Sequence, residues 1–172
     1  MQVVMDYEYF MKKALEQAEQ ALAAGEFPVG CVLVHDGQVV AAGGRENSGV
    51  DGNEFDHAEI VALRRLLDTD PSIDFSEVTV YSTLEPCLMC YTTLILNGFR
   101  TIVYGYEDVM GGGSDLELER LSPLYASMQV KVIPGVLRAG CLELFQHFFQ
   151  DDKNDYWRDS ALSQYTLDQH TD

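Results

Sequence analysis

The sequence has little cysteine, little positive charge and no long apolar run. None of its 172 residues fall in a stretch approaching the roughly 18 apolar positions of a membrane span, and the opening MQVVMDYEYFMKKALEQ lacks the basic region, apolar run and small-residue cleavage site of a secretory leader. These absences predict a cytoplasmic protein with no membrane partner. Cysteine occurs four times. In a reducing compartment a disulfide is disfavoured, so the pair Cys87 and Cys90 leans toward metal or redox work. Basic residues number 11 against 28 acidic ones, a net charge of −17. Such a surface repels phosphate backbones at long range, because nucleic-acid binding needs lysine and arginine to displace condensed counterions. Net charge by itself speaks to solubility and leaves room for a local basic groove.

What remains is an ordinary globular balance, 47% hydrophobic and 23% charged, enough for one domain with a real core. From Asp6 to Ala24 the apolar residues Phe10, Ala14, Leu15, Ala18 and Leu22 recur at helical steps, with Gly25 as a stop. VGCVLVH and QVVAA are β-prone runs joined by Asp36 and Gly37, a pair suited to a tight hairpin turn. Residues 43–56, GGRENSGVDGNEFD, predict a loop that delivers the chain into a helix, HAEIVALRRLL. VTVYST (78–83) predicts a third strand. Cys87–Asn97 predicts a helix ended by Gly98, TIVYGY (101–106) a fourth strand, and GGGSD a loop. LELERL predicts a short helix closed near Pro123, VKVIPGV a fifth strand, and Gly140–Gln150 a last helix. Strands alternating with helices imply an α/β protein, a three-layer α/β/α sandwich with its sheet covered on both faces. Residues 1–150 are expected to form the domain. Residues 151–172 form an acidic tail that either docks as a helix through Tyr156 and Trp157 or frays.

The stretch EPCLMC at 85–90 carries the chemistry. CxxC between a strand and a helix also occurs in thioredoxin-like redox proteins, so the pair alone is ambiguous. A second helix start supplies His57, Ala58 and Glu59. Catalytic zinc takes three protein ligands and leaves a fourth position open, and one histidine with two cysteines is an established set; His57, Cys87 and Cys90 fit it. The first turn of a helix favours thiolates, through its unsatisfied N–H groups and positive dipole end. Pro86 suits that start, since the N–H it lacks would be orphaned there. Glu59 follows His57 on the same turn, close enough to shuttle protons without coordinating. H-x-E followed by P-C-x-x-C is the signature of zinc deaminases, matched here rather than derived. A blander reading makes Asp56 an N-cap with Glu59 reaching back to it. Cys31 and Cys141 are read as packing residues, and His35, His147 and His170 as structural or surface groups.

With those residues placed, the chain resembles the cytidine deaminase superfamily, in the branch of tRNA adenosine deaminases and nucleobase (guanine or cytosine) deaminases. The resemblance is carried by EFPVGCVLV (26–34), HAEIVAL (57–63), TLEPCLMC (83–90) and the loop 111–113, and runs from the first helix to about Phe149. It implies a five-stranded mixed sheet, one catalytic zinc per chain, and a homodimer or higher oligomer. It implies that His57, Cys87 and Cys90 hold the metal and that Glu59 moves protons while an exocyclic amine is replaced by a carbonyl and ammonia leaves. It also suggests that Pro28, Val29, Gly30, Ala58 and Glu85 orient the base. The family's substrate-binding asparagine falls at Arg45, with Asn47 two residues on as the substitute or as a simple turn residue.

The tail from Gln150 carries six aspartates against Lys153 and Arg158, and the loop 107–115 has no basic residue. That charge favours a small substrate, a free nucleobase or nucleoside. The likeness of TLEPCLMC to the tRNA enzymes favours the alternative, conversion of adenosine to inosine at the wobble position of tRNA. A zinc-stabilised binding module without catalysis is the remaining alternative; Glu59 argues against it, because structural zinc normally closes its fourth position with protein.

Overall fold

A computed structural model describes residues 6–49 and 51–170. Five strands form one mixed sheet in the order β2-β1-β3-β4-β5. β1 (Gly30–His35) and β2 (Gln38–Gly44) are an antiparallel hairpin. Its turn residues Asp36 and Gly37 both have positive φ, 49° and 73°, the demand of a two-residue turn whose twist matches the strands. β1 also runs antiparallel to β3 (Thr79–Leu84), whereas β3, β4 (Thr101–Tyr106) and β5 (Lys131–Ile133) are mutually parallel.

Helices cover both faces, as the alternating pattern requires. α1 (Tyr7–Ala23) and α5 (Arg138–Gln150) lie against one face, and α2 (Ala58–Thr69) against the other with α3 (Leu88–Leu96) beside it. Two glycines allow the close approach. A Cβ on Gly30 would lie 2.1 Å from the Ala14 carbonyl oxygen of α1, and one on Gly43 would lie 2.7 Å from the Ala62 nitrogen of α2. Both obstacles are helical backbone, so neither can swing aside. The buried core includes Tyr81, Phe99, Tyr106 and Phe145, each fully inaccessible.

Two elements depart from expectation, and a third decides between the alternatives left for the tail. LELERL yields only a 3-10 turn over Leu118–Arg120, and Pro123 starts the following helix, α4 (Pro123–Ala126), rather than closing the one before it. Proline at a first helical position costs no hydrogen bond that the helix would make, which is why the same residue can stop one helix or open another. β5 spans three residues and not the whole of VKVIPGV, since the Pro134–Gly135 pair cannot continue the ladder and Gly135 has φ 79°. Beyond α5 the chain forms a further helix, α6 (Ala161–Asp168), capped by Ser160, whose hydroxyl accepts from the Ser163 N–H at 3.1 Å. Leu162 and Thr166 are buried beneath it. The Thr166 hydroxyl meets the Tyr106 hydroxyl at 3.1 Å, Tyr165 donates to Glu107 at 2.7 Å, and the Gln146 amide of α5 donates to the backbone oxygens of Thr166 and Gln169.

The fit of β1 against α1 gives a direct test. Gly30→Ala should destabilise the protein by about 1–3 kcal/mol or more, the usual cost of forcing a methyl into closed packing. Urea unfolding measures this, and an unchanged midpoint would contradict the packing described.

Candidate metal centre and active site

Two helices begin at the same spot. His57 occupies the N-cap of α2 and Cys87 the N-cap of α3, both with extended backbone and neither with a side-chain capping bond. A cap usually carries Ser, Thr, Asp or Asn to satisfy an orphan N–H; here both side chains turn instead toward one another. Asp56 is therefore not the cap. Its carboxylate accepts from the Asn47 and Asn53 side-chain amides, both at 2.8 Å, and from Arg64 at 2.9 Å.

His57 Nδ1 lies 3.5 Å from the sulfurs of both Cys87 and Cys90, and the three donor atoms are all within 4.8 Å of one another. A tetrahedral zinc with its nitrogen at ~2.0 Å and each sulfur at ~2.3 Å places nitrogen and sulfur about 3.6 Å apart. The donor set and its spacing therefore fit zinc without rearrangement. The Cys87 thiol is drawn down to about 4, chiefly by the hydrogen bond it shares with Cys90 and then by His57, against its burial. His57 is held at about 9, with burial opposing its charge and Cys87 and Glu59 supporting it. Cys90 is pushed the other way, well above the ordinary thiol value, by the hydrogen bond to Cys87 and by burial, so the metal-free cluster pairs one thiolate with an imidazolium, and a metal binding there displaces the protons of Cys90 and His57. All four cysteines are free; Cys31 and Cys141 are fully buried outside the three-ligand cluster, Cys31 opposite Ser82 and near enough to Glu59 to feel its charge.

Glu59 stands two positions along from His57, on the same first turn of α2, buried to 3% exposure. The Ser82 hydroxyl donates to it at 3.1 Å. Burial raises its pKa above the ordinary carboxylate value and the neighbouring Cys87 charge adds to the effect, which brings the group toward the range where a carboxylate can both take and return a proton.

A cavity of about 110 Å³ opens over this cluster. Val29, Ala58 and Glu85 line it together with His57, Glu59 and Cys87; Pro28, Gly30 and Asn47 do not. Asn47 is exposed, adopts φ 53°, and gives its amide to Asp56. The Gly30 N–H is taken by the Thr83 hydroxyl at 3.0 Å. Glu85 turns its carboxylate into the loop 107–114, where it accepts from the Asp108 N–H at 3.1 Å and the Ser114 hydroxyl at 2.6 Å. That loop is also held by the Gly113 N–H on the Pro86 oxygen. Glu85 thus fixes the wall beside Cys87.

Among the remaining lining residues, Phe27 lies within EFPVGCVLV and Arg45 at the place of the family's asparagine, while Glu54 had no motif to announce it. Arg45 is buried at 2% exposure, donates to the backbone oxygens of Glu46 and Asn53, and faces Glu54 at 3.6 Å. Phe27, Tyr156, Trp157 and Leu162 complete an apolar and aromatic side. The last three come from the segment after α5; Tyr156 and Trp157 were expected to dock that segment, and nothing in the sequence marked Leu162.

A zinc-type His-Cys-Cys centre with an adjacent buried glutamate, at the ends of two helices over a mixed sheet, defines a hydrolytic deaminase. Residues 5–106 match the cytidine and deoxycytidylate deaminase zinc-binding region, and the chain belongs to that family. It is 32% identical over 146 residues to the tRNA-specific adenosine deaminase of Streptococcus pyogenes serotype M18, covering 84% of this chain and 91% of the relative. It is 32% identical over 155 residues to that of Haemophilus influenzae, covering 90% of each. Among solved structures, one from work on A-to-I editing by tRNA:A34 deaminases aligns with a TM-score of 0.66 at 28% identity, over 79% of this chain and 98% of the other. Guanine deaminase from Bacillus subtilis aligns with a TM-score of 0.54 at 29% identity, over 60% of this chain and 66% of the other.

Purified protein is expected to carry about one zinc per chain by elemental analysis, and Cys90→Ala to lose it. Metal-free protein holding a Cys87–Cys90 disulfide would instead support redox work.

Proposed function

We propose that this chain hydrolyses the exocyclic amine of a free purine or pyrimidine base or its nucleoside, with His57, Cys87 and Cys90 as metal ligands and Glu59 as the proton carrier. Zinc in that site supplies a Lewis acid that makes water nucleophilic near neutral pH. Glu59 takes a proton from the water as its oxygen bonds to the ring carbon bearing the amine, and passes it to the adjacent ring nitrogen. Glu59 then carries the second water proton to the amine. The carbon–nitrogen bond breaks, ammonia leaves, and the water's oxygen remains as the carbonyl. Val29, Ala58 and the backbone near Glu85 border the space where the base would lie. Asn47, Pro28 and Gly30 act only from behind that wall, through the loop and strand that shape it.

The observation that carries the choice of substrate is the charge of the cavity. Its one cation, Arg45, is already committed to two backbone oxygens and to Glu54. The other charged groups at the wall are Glu54, Glu59, Glu85 and Asp108. Apart from the ligand histidine nothing there balances a phosphate, while the apolar and aromatic side contributed by Phe27, Leu84, Met110 and Trp157 suits an uncharged ring. Tyr156, Trp157 and Leu162, from the segment after α5, wall one side of the cavity. A cytoplasmic homodimer completes this reading. Leu88 and Leu96, 53% and 51% exposed on α3, give a face for the second copy.

A second reading, deamination of adenosine in tRNA, is favoured by the relatives of Streptococcus pyogenes and Haemophilus influenzae, both tRNA-specific adenosine deaminases. Incubation of the zinc protein with guanine, cytosine, adenosine, cytidine and an anticodon stem-loop RNA separates the two. Ammonia from one of the small substrates is expected; ammonia from the RNA alone would replace the first reading by the second. Glu59→Gln should retain zinc and fold while turnover falls by at least 10²-fold, the lower end of the usual contribution of general acid–base catalysis. An active Glu59→Gln protein would remove Glu59 from the mechanism.

A further inference from the structure

Glu54 sits on the loop entering α2, three positions before His57. Its Oε2 lies 3.2 Å from His57 Nε2, accepts from the Tyr156 hydroxyl at 2.9 Å, and faces the Arg45 guanidinium at 3.6 Å. The other ring nitrogen of His57, Nδ1, faces the two sulfurs. Each nitrogen of the imidazole thus has a separate task. A proton on Nε2 directed at Glu54 leaves the Nδ1 lone pair for a metal, and such outer carboxylates fix both the tautomer and the ring plane of a ligand histidine.

The Glu54 side chain is itself 62% exposed, and an exposed carboxylate has several rotamers open to it. What selects one is its partners. Tyr156 is well anchored: its ring lies 5.1 Å from that of Phe27, which is buried against Phe145 and Phe148, and Arg45 lies over its face at 5.7 Å. The hydroxyl of Tyr156 is therefore a fixed point supplied by the segment between α5 and α6.

We propose that Tyr156 is a positioning residue for the metal centre, acting through Glu54 on His57, so that the chain beyond α5 is a working part of the site. This rests on the reading of His57, Cys87 and Cys90 as zinc ligands. The Tyr156 hydroxyl holds Glu54 in the rotamer that receives Nε2–H; without it the carboxylate turns to solvent and the imidazole loses its orientation. The role predicts an effect on metal retention, which a purely structural tyrosine would not produce when its ring is kept.

The test uses the full-length zinc protein and competition with a chromogenic chelator, with circular dichroism to establish that each variant is folded. Tyr156→Phe keeps the packed ring and removes only the hydroxyl. It should weaken zinc binding by roughly 10-fold, and Glu54→Ala by roughly 10–100-fold, the range for loss of an outer partner of a metal ligand. Glu54→Gln, which still offers a carbonyl oxygen, should recover part of that loss. Because Tyr156 acts through Glu54, the double variant Tyr156→Phe/Glu54→Ala should be no weaker than Glu54→Ala alone. Unchanged zinc affinity in Tyr156→Phe, or losses that simply add in the double variant, would overturn the proposal while leaving the metal site intact. A wild-type protein that binds no zinc would overturn the metal reading, and this proposal with it.

Discussion

Two helix N-termini aimed at a single point are the constraint on which the rest of the structure depends. The first turn of an α-helix leaves N–H groups without partners and a partial positive charge. Here α2 and α3 both spend their cap position on a ligand side chain, His57 and Cys87, rather than on a capping oxygen. The thiolate gains from both fields, and Cys90 follows on the first turn of α3. Nothing local to either helix requires this convergence. It is imposed by the sheet. β3 feeds Leu84 directly toward Cys87, and α2 is held on its face by the bare backbone of Gly43 opposite Ala62. A side chain at Gly43 would lift α2 away, and His57 with it.

Glu59 can be buried only because of that arrangement. An isolated carboxylate inside a protein is costly to ionise, and its raised pKa reports this cost. The Ser82 hydroxyl offsets part of it, and the charge of His57 offsets more. The same desolvation that destabilises the charge raises the group's affinity for a proton, which favours the proton-carrying role proposed for it. A solvated glutamate would hold its proton too weakly to return it to a leaving amine.

The metal centre was legible in the sequence because short spacings encode it: His57 with Glu59, and Cys87 with Cys90, each fall within one helical turn whatever the rest of the chain does. The individual strands and both helical layers were legible from periodicity and from the Asp36–Gly37 turn, while the five-stranded mixed sheet came with the family resemblance. The errors have local causes. Pro123 is compatible with ending a helix or beginning one, and VKVIPGV contains its own terminator in Pro134–Gly135. Asp56 and Glu59 have the spacing of a capping box, but a cap satisfies one N–H, whereas Asp56 gathers three donors from Asn47, Asn53 and Arg64. The contacts among the other cavity residues were not legible, since Arg45, Glu54 and Tyr156 meet only across a loop and a distant segment. Pattern reading has no access to such contacts.

Charge then separates this chain's site from its surface. An overall charge of −17 acts over about one Debye length, roughly 8–10 Å at physiological ionic strength, and so bears on the approach of any anion. At contact range the wall decides. Arg45 is the residue that could have reversed the sign there, but its guanidinium is turned into the loop 46–54 and onto the face of Tyr156. It thereby exchanges the chance of gripping a phosphate for the task of closing the loop that carries Glu54. An arginine used this way is structural glue with an electrostatic consequence, because it neutralises Glu54 without offering a positive surface. On the proposed reading, in which an uncharged aromatic ring is the ligand, this ties substrate choice to the same few contacts that orient His57.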